Sequence, residues 1–196
     1  MKYNPEIHHR RSIRLKGYDY SSQGVYFITF CVQNRANLLG HIDNGELYLN
    51  DAGNMIERWY DEVPNKFPNV ECGEMVVMPN HFHCIWNFIN QQDGITIPKV
   101  VQWFKTMTTN EYIRGVKELG WQPFDKRLWQ RNYYEHIIRN GQAYENIRNY
   151  ILTNPERWKS DQLNGNDIPL AGENLRVCPY DNEGDGIGAD GIGADT

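Results

Sequence analysis

The order of apolar segments along this 196-residue chain predicts an α+β fold, an antiparallel sheet with helices on its faces. Residues 25–32 are apolar on both faces, as a central strand must be. Residues 74–78 and 81–89 are two more strand-like runs separated only by Pro79 and Asn80, which reads as a tight hairpin. Three other stretches carry apolar residues at helical spacing.

The elements follow in order. After the strand over 25–32, Asn44-Gly45 marks a turn and residues 46–49 a short second strand. Residues 51–63 read as a helix with Met55, Ile56, Trp59 and Val63 on its inner side. The hairpin comes next, then a long helix over about 98–118 carrying Val101, Phe104 and Met107. Residues 120–140 are irregular at first and rich in Trp, Tyr and Arg. Residues 142–154 form the closing helix, with Ala143, Ile147, Tyr150 and Ile151 on one side. It starts near Asn140-Gly141, and Pro155 stops it.

The hairpin holds the stretch Met78-Pro79-Asn80-His81-Phe82-His83. A strand alternates its side chains between two faces, so His81 and His83 point the same way. Phe82, Cys84, Trp86 and Phe88 point the other way and are all apolar. One face enters a core, and the other presents two imidazoles close enough to share a metal ion. The competing reading is a pair of packed, hydrogen-bonded structural histidines. On the closing helix, Tyr150 and Asn154 are four apart and share a face, placing a phenol beside an amide oxygen. Packing against the sheet is the alternative for Tyr150, one of 12 tyrosines.

These residues resemble a known family. The stretch around His81 and His83 is similar to the histidine–hydrophobic–histidine (HUH) motif of single-tyrosine transposases, and Tyr150 to Pro155 resembles the tyrosine-bearing helix of that group. The REP-associated tyrosine transposase branch is the nearest in pattern. Trp129 to Asn140 and the opening Arg10 to Tyr20 share it, so the resemblance spans about residues 10–158. It implies a ferredoxin-like or RRM-like HUH sheet. It also implies single-stranded DNA cleavage by a tyrosine, leaving a 5′-phosphotyrosine link and a free 3′-hydroxyl that can rejoin DNA. By matching position, Tyr150 is the implied nucleophile, and His81, His83 and Asn154 the implied ligands of Mg²⁺ or Mn²⁺. The insertion-sequence branch has glutamine where this chain has Asn154, which keeps the amide oxygen but shortens its reach.

The residue types suit that chemistry. A phenol with a pKa near ~10 is a poor nucleophile at neutral pH and needs a base, a cation or a lowered pKa. A cation between two imidazoles and an amide would polarise the scissile phosphate, with coordination positions left for phosphate and water. Two imidazoles would also accept zinc or nickel. No nucleotide-binding loop or dinucleotide fingerprint occurs, consistent with a reaction that conserves bond energy in the phosphotyrosine.

Composition bounds the rest. One domain with a substantial core is expected from 196 residues with 40% hydrophobic and 13% aromatic content. No apolar run approaches a membrane span, and the polar, basic start lacks a hydrophobic signal region. Cys31, Cys72, Cys84 and Cys178 show no paired ligand spacing, which points to a reduced cytoplasm. The net charge is −5, but residues 160–196 hold eight acids against Arg176 alone, a local −7 that leaves +2 on residues 1–159. The expected organisation is a basic arm over 1–20, a catalytic domain over 21–160 and an acidic tail over 161–196. The tail repeats Gly-Ile-Gly-Ala-Asp at 186–190 and 191–195 and cannot build a core.

Candidate DNA contacts are Arg10, Arg11, Arg14 and Lys16 in the arm, with Lys105, Arg131 and Arg139 in the domain. Each also fits a solvated surface charge. Trp129, Tyr133 and Tyr134 could stack on bases or fill the core, His136 could contact DNA or make a structural hydrogen bond, and His8, His9 and His41 have no supporting context. The expected partner is single-stranded or hairpin DNA, with the protein acting as a monomer or homodimer off the membrane. Two other functions stay open: a single-stranded nucleic-acid-binding module without catalysis, and a metal-dependent hydrolase in which Tyr150 only packs.

Overall fold

The computed structural model describes residues 23–89, 94–161 and 163–164. In chain order the elements are β1 (Gly24–Cys31), β2 (Gly40–Asp43), β3 (Glu46–Leu49), α1 (Asp51–Asp61), α2 (Val63–Lys66), β4 (Val70–Met78), β5 (His81–Phe88), α3 (Ile97–Glu118), β6 (Tyr134–Ile138) and α4 (Gly141–Leu152). The main sheet runs β4-β5-β1-β6, with every neighbouring pair antiparallel. The α+β class and the antiparallel sheet therefore stand as expected. β1 is central, and its Tyr26, Phe27, Ile28 and Phe30 are all fully buried.

Each face of the sheet is covered differently. Tyr26, Ile28 and Phe30 of β1 and Phe82, Cys84, Trp86 and Phe88 of β5 enter the larger core, with Met55, Ile56 and Tyr60 of α1 and Val100, Val101 and Phe104 of α3. On the opposite face Phe27 and Ile85 meet Ile147 and Ile151 of α4. The fixed pairing register puts Thr29 and Cys31 opposite His83 and His81 on the α4 side. β4 carries a bulge between Cys72 and Met75. The Tyr60 hydroxyl donates to the carbonyl of Gly73 at 3.1 Å and of Ile85 at 2.7 Å on this part of the sheet. Glu74, inside the bulge, accepts from the Tyr144 hydroxyl at 2.7 Å and from Arg148 Nε at 2.6 Å, which ties α4 down. Burial pushes the Glu74 carboxyl up, but these two donors outweigh it and hold it below the usual range.

Four local expectations change. The strand over 46–49 is half of a hairpin whose other strand, β2, was too short and mixed to read; Asn44 and Gly45 turn it with φ of 51° and 85°. The helix over 51–63 ends at Asp61, and α2 starts afresh at Val63, because Pro64 has no N–H to bond the Tyr60 carbonyl. Residues 134–138, at the end of the 120–140 segment that reads as irregular only at first and to which the sequence assigns no element, form the edge strand β6. The closing helix ends at Leu152: Pro155 has no N–H for the Ile151 carbonyl, which receives the N–H of Asn154 at 3.3 Å instead. Asn154 thus opens a 3₁₀ turn, Pro155–Ser160, rather than completing α4.

The start of α4 fits expectation, since the Asn140 side chain accepts from the Ala143 N–H at 2.8 Å as an N-cap. Packing also continues past residue 160. Leu163 is 1% exposed, and its carbonyl accepts from Asn80 Nδ2 at 2.9 Å.

Candidate active site

His81 and His83 lie side by side on β5, completely buried, with ring centroids 4.6 Å apart. Buried imidazoles need partners, and each has one on Nδ1. His83 Nδ1 is 2.7 Å from the Thr29 hydroxyl, the residue paired with it across β1. His81 Nδ1 is 2.8 Å from Asn80 Oδ1. The Asn80 amide is oriented by its other end, which donates to the carbonyls of Arg35 at 3.2 Å and Leu163 at 2.9 Å. Its oxygen must therefore accept from His81, which puts the hydrogen on Nδ1 and leaves the lone pair on Nε2. Burial depresses both imidazoles. His83 falls to about 3, and His81 lies well below the usual range through burial first, then the neighbouring His83 and Arg35, with a polar contact to Asn154 acting in the opposite direction. Both are neutral at physiological pH, as metal ligands must be.

Tyr150 sits in the last turn of α4 with its hydroxyl 3.4 Å from His83 Nε2 and its ring against Phe27, 6.1 Å between centroids. Asn154 follows just beyond the helix and is 2% exposed. The structure brings His81, His83 and Tyr150 together, with the Asn154 side chain in polar contact with His81. The lost helical register matters little, because Asn154 keeps helical backbone angles in the 3₁₀ turn.

A cation fits this place on chemical grounds. His81 Nε2, Asn154 Oδ1 and Asp161 Oδ2 are buried with no hydrogen-bond partner. All three are acceptors, and burying acceptors without a donor or cation is costly. Among the described residues no three His, Cys, Asp or Glu side chains form a ready-made cage, so the donor set is a mixed one that includes the Asn154 amide. Asp161 was missed by sequence reasoning. So were Thr29 and Asn80, although Asn80 lies inside the histidine stretch.

The other candidates divide. Arg10, Arg11, Arg14 and Lys16 lie outside the described residues, as do His8 and His9. Lys105 is spent internally: its ammonium donates to the carbonyls of Gln130, Arg131 and Asn132 at 2.9, 3.4 and 3.2 Å, and burial lowers it to about 8. Arg131 and Arg139 are exposed. Arg131 and Arg127 line a 660 Å³ groove with Lys105, Gln130 and Tyr133. Trp129 is core, 4% exposed, with its indole N–H donating to the Thr108 hydroxyl at 2.9 Å. Tyr133 packs on Phe30 and Tyr134 on Phe27. His136 pairs with Phe27 across the sheet, on the α4 side. His41 stacks on Tyr48.

Comparison with known proteins identifies the family of the fold. The family profile described as "Transposase IS200 like" matches residues 21–154. A Haemophilus influenzae protein described only as uncharacterized is 44% identical over 181 residues, covering 83% of this chain and 97% of its own length. The REP-associated tyrosine transposase of Escherichia coli is 26% identical over 136 residues, 69% of this chain and 68% of that protein. A solved structure of a REP-associated tyrosine transposase bound to a REP hairpin superposes with a TM-score of 0.53 at 25% identity, covering 74% of this chain and 73% of that one. No helix among the described residues is long and apolar enough to cross a membrane. The chain belongs to the IS200-like transposase family, DNA-processing proteins of transposition, and its named relatives are REP-associated tyrosine transposases.

Proposed function

We propose that this IS200-like transposase cuts and rejoins single-stranded DNA beside hairpin repeats, with Tyr150 as nucleophile and a divalent ion, Mg²⁺ or Mn²⁺, held by His81, His83 and Asn154. The observation that carries this reading is the set of buried acceptors without partners, His81 Nε2 and Asn154 Oδ1, beside a His83 Nε2 that faces the Tyr150 hydroxyl at 3.4 Å. The hairpin partner is inferred from the relative whose structure holds a REP hairpin.

Tyr150 Oη attacks the scissile phosphorus, and the bond from phosphorus to the 3′-oxygen breaks. The phenol gives up its proton as the tyrosyl–phosphate bond forms, and the departing 3′-oxygen takes one up. In the reverse direction a 3′-hydroxyl attacks the phosphotyrosine and releases Tyr150, so the strand is resealed without an external energy source. A bound divalent ion supplies charge neutralisation at the phosphate oxygens. The protein supplies position. Thr29 and Asn80 fix both imidazoles, Glu74 fixes α4 through Tyr144 and Arg148, and Ile147 and Ile151 seat the helix on Phe27 and Ile85. Preorganisation of this kind lowers the barrier by placing the reactants before reaction. Arg131 and Arg139, exposed on this domain, are the proposed phosphate contacts, joined by the basic arm at Arg10, Arg11, Arg14 and Lys16. Lys105 instead acts through the loop it holds.

The test mixes the full chain with labelled single-stranded hairpin DNA and Mn²⁺ and resolves the products on a denaturing gel. A metal-dependent, SDS-resistant adduct in wild type and none in Tyr150→Phe is expected. Nicking without an adduct would replace this reading with a metal hydrolase. Hairpin binding without either product would make the chain a binding module.

A further inference from the structure

We propose that Asp161 is a fourth metal donor, a carboxylate supplied from beyond the family-like region to the ion held by His81, His83 and Asn154. This inference rests on the proposed metal site and deepens it. The family match ends at residue 154, seven residues before Asp161.

The acceptors at this place are unmatched. Asp161 Oδ2 is 3.6 Å from His81 Nε2, and its side chain is 7% exposed. That distance is beyond a hydrogen bond. The Asn80 amide already assigns the hydrogen of neutral His81 to Nδ1, so a lone pair and a carboxylate oxygen face each other in a buried place. Asn154 Oδ1 is a third buried acceptor without a partner. A cation satisfies all three at once. Neighbouring donors on a six-coordinate ion stand roughly 3 Å apart, which follows from metal–oxygen distances of ~2.1 Å, so the observed gap closes with a shift of a few tenths of an ångström.

Asp161 is also held in its pose. Its Oδ1 accepts the Leu163 N–H at 2.7 Å, which leaves Oδ2 to the site. The Leu163 carbonyl is gripped by Asn80 Nδ2 at 2.9 Å and Arg35 Nη1 at 3.2 Å. Asn164 Nδ2 donates to the Trp158 carbonyl at 2.7 Å and closes the turn. Asn80 therefore serves both sides, orienting His81 through its oxygen and the Asp161 segment through its nitrogen. A carboxylate also adds the hard, anionic donor that Mg²⁺ and Mn²⁺ prefer over zinc.

The experiment titrates Mn²⁺ into the full chain without DNA and follows free Mn²⁺ by its EPR signal, for wild type, Asp161→Asn, Asp161→Glu and His81→Ala. Asparagine keeps the acceptor for the Leu163 N–H and replaces the site-facing Oδ2 with a neutral NH2 group that cannot ligate a metal. Its metal-free melting temperature should stay near wild type and establish that the variant folds. Asp161→Asn is expected to weaken Mn²⁺ binding at least ~10-fold, the scale on which even outer partners of a metal act. It should weaken Zn²⁺ binding less, and Asp161→Glu should recover part of the loss. Mn²⁺ affinity within twofold of wild type in Asp161→Asn, while His81→Ala loses it, would overturn the inference and leave the three-donor site standing. Failure of wild type to bind Mn²⁺ at all would overturn both.

Discussion

The two faces of the central sheet are built from the same strands and obey opposite rules. On the α1/α3 side, Phe82, Cys84 and Trp86 alternate into a core where Phe30, Phe82 and Phe104 stack with centroids 5.3 to 5.9 Å apart. On the α4 side, one residue away along β5, His81 and His83 are equally buried but stand among acceptors without partners. Burial on the first face stabilises by removing apolar surface from water. On the second it costs stability and creates a place where a cation and a phosphate oxygen interact strongly. Stability and chemistry are thus separated by the two-residue period of one strand.

The sharpest way to break this contrast is to exchange the roles of neighbours. Tyr150→Phe should remove adduct formation altogether, with only a small change in stability, because the ring contact with Phe27 persists. A gel with a denaturation curve measures both. Phe82→Ala, one position from either histidine, should do the reverse. Loss of a fully buried ring costs about 3–5 kcal/mol, read as a lowered urea midpoint, and Mn²⁺ binding should survive wherever the variant stays folded.

A weaker effect separates structural cations from DNA-contacting ones. Lys105→Met should destabilise by about 1–3 kcal/mol, since three carbonyls lose their shared donor, and should disturb the 130–132 loop. Arg131→Ala should leave stability unchanged and reduce hairpin affinity together with its salt dependence. A Lys105→Met variant as stable as wild type would show that the ammonium is dispensable to the loop.

A further contrast is the pH dependence of the metal-free protein. His83 titrates near 3 when folded against ~6.5 when unfolded, and His81 is depressed in the same direction. Between those values the unfolded chain binds more protons, so stability rises with pH and is lost as pH falls below about 6.5 towards 3. The slope is at most ~1.4 kcal/mol per pH unit for each histidine. Urea unfolding in EDTA at pH 5 and pH 7.5 should show this loss, and His83→Asn should flatten it. A flat profile in wild type would mean that the imidazoles are not held neutral by burial.

Much of this was legible in the chain. Periodicity placed β1, the β4/β5 hairpin and the long helices, because strand and helix periods are local properties of the sequence. The His81/His83 face followed from strand alternation, and Tyr150 from its helix. What escaped was short or shared. β2 and β6 are stabilised by the strands they pair with and carry little pattern of their own. Lys105 fitted either a phosphate contact or a solvated charge, and the fold instead turns it onto three carbonyls; of the two readings of Trp129 the core one holds, with its indole on Thr108.

Which residues can do chemistry, and which face of each element they share, is written in the chain, since alternation along a backbone needs no partner. Which of those residues meet is set by the packed fold. Asn80 orienting His81, Thr29 facing His83 through strand register, and Asp161 reaching the same place from 80 residues away are outcomes of packing. Such contacts are fixed by the closure of the whole core, and no local pattern in the chain encodes them.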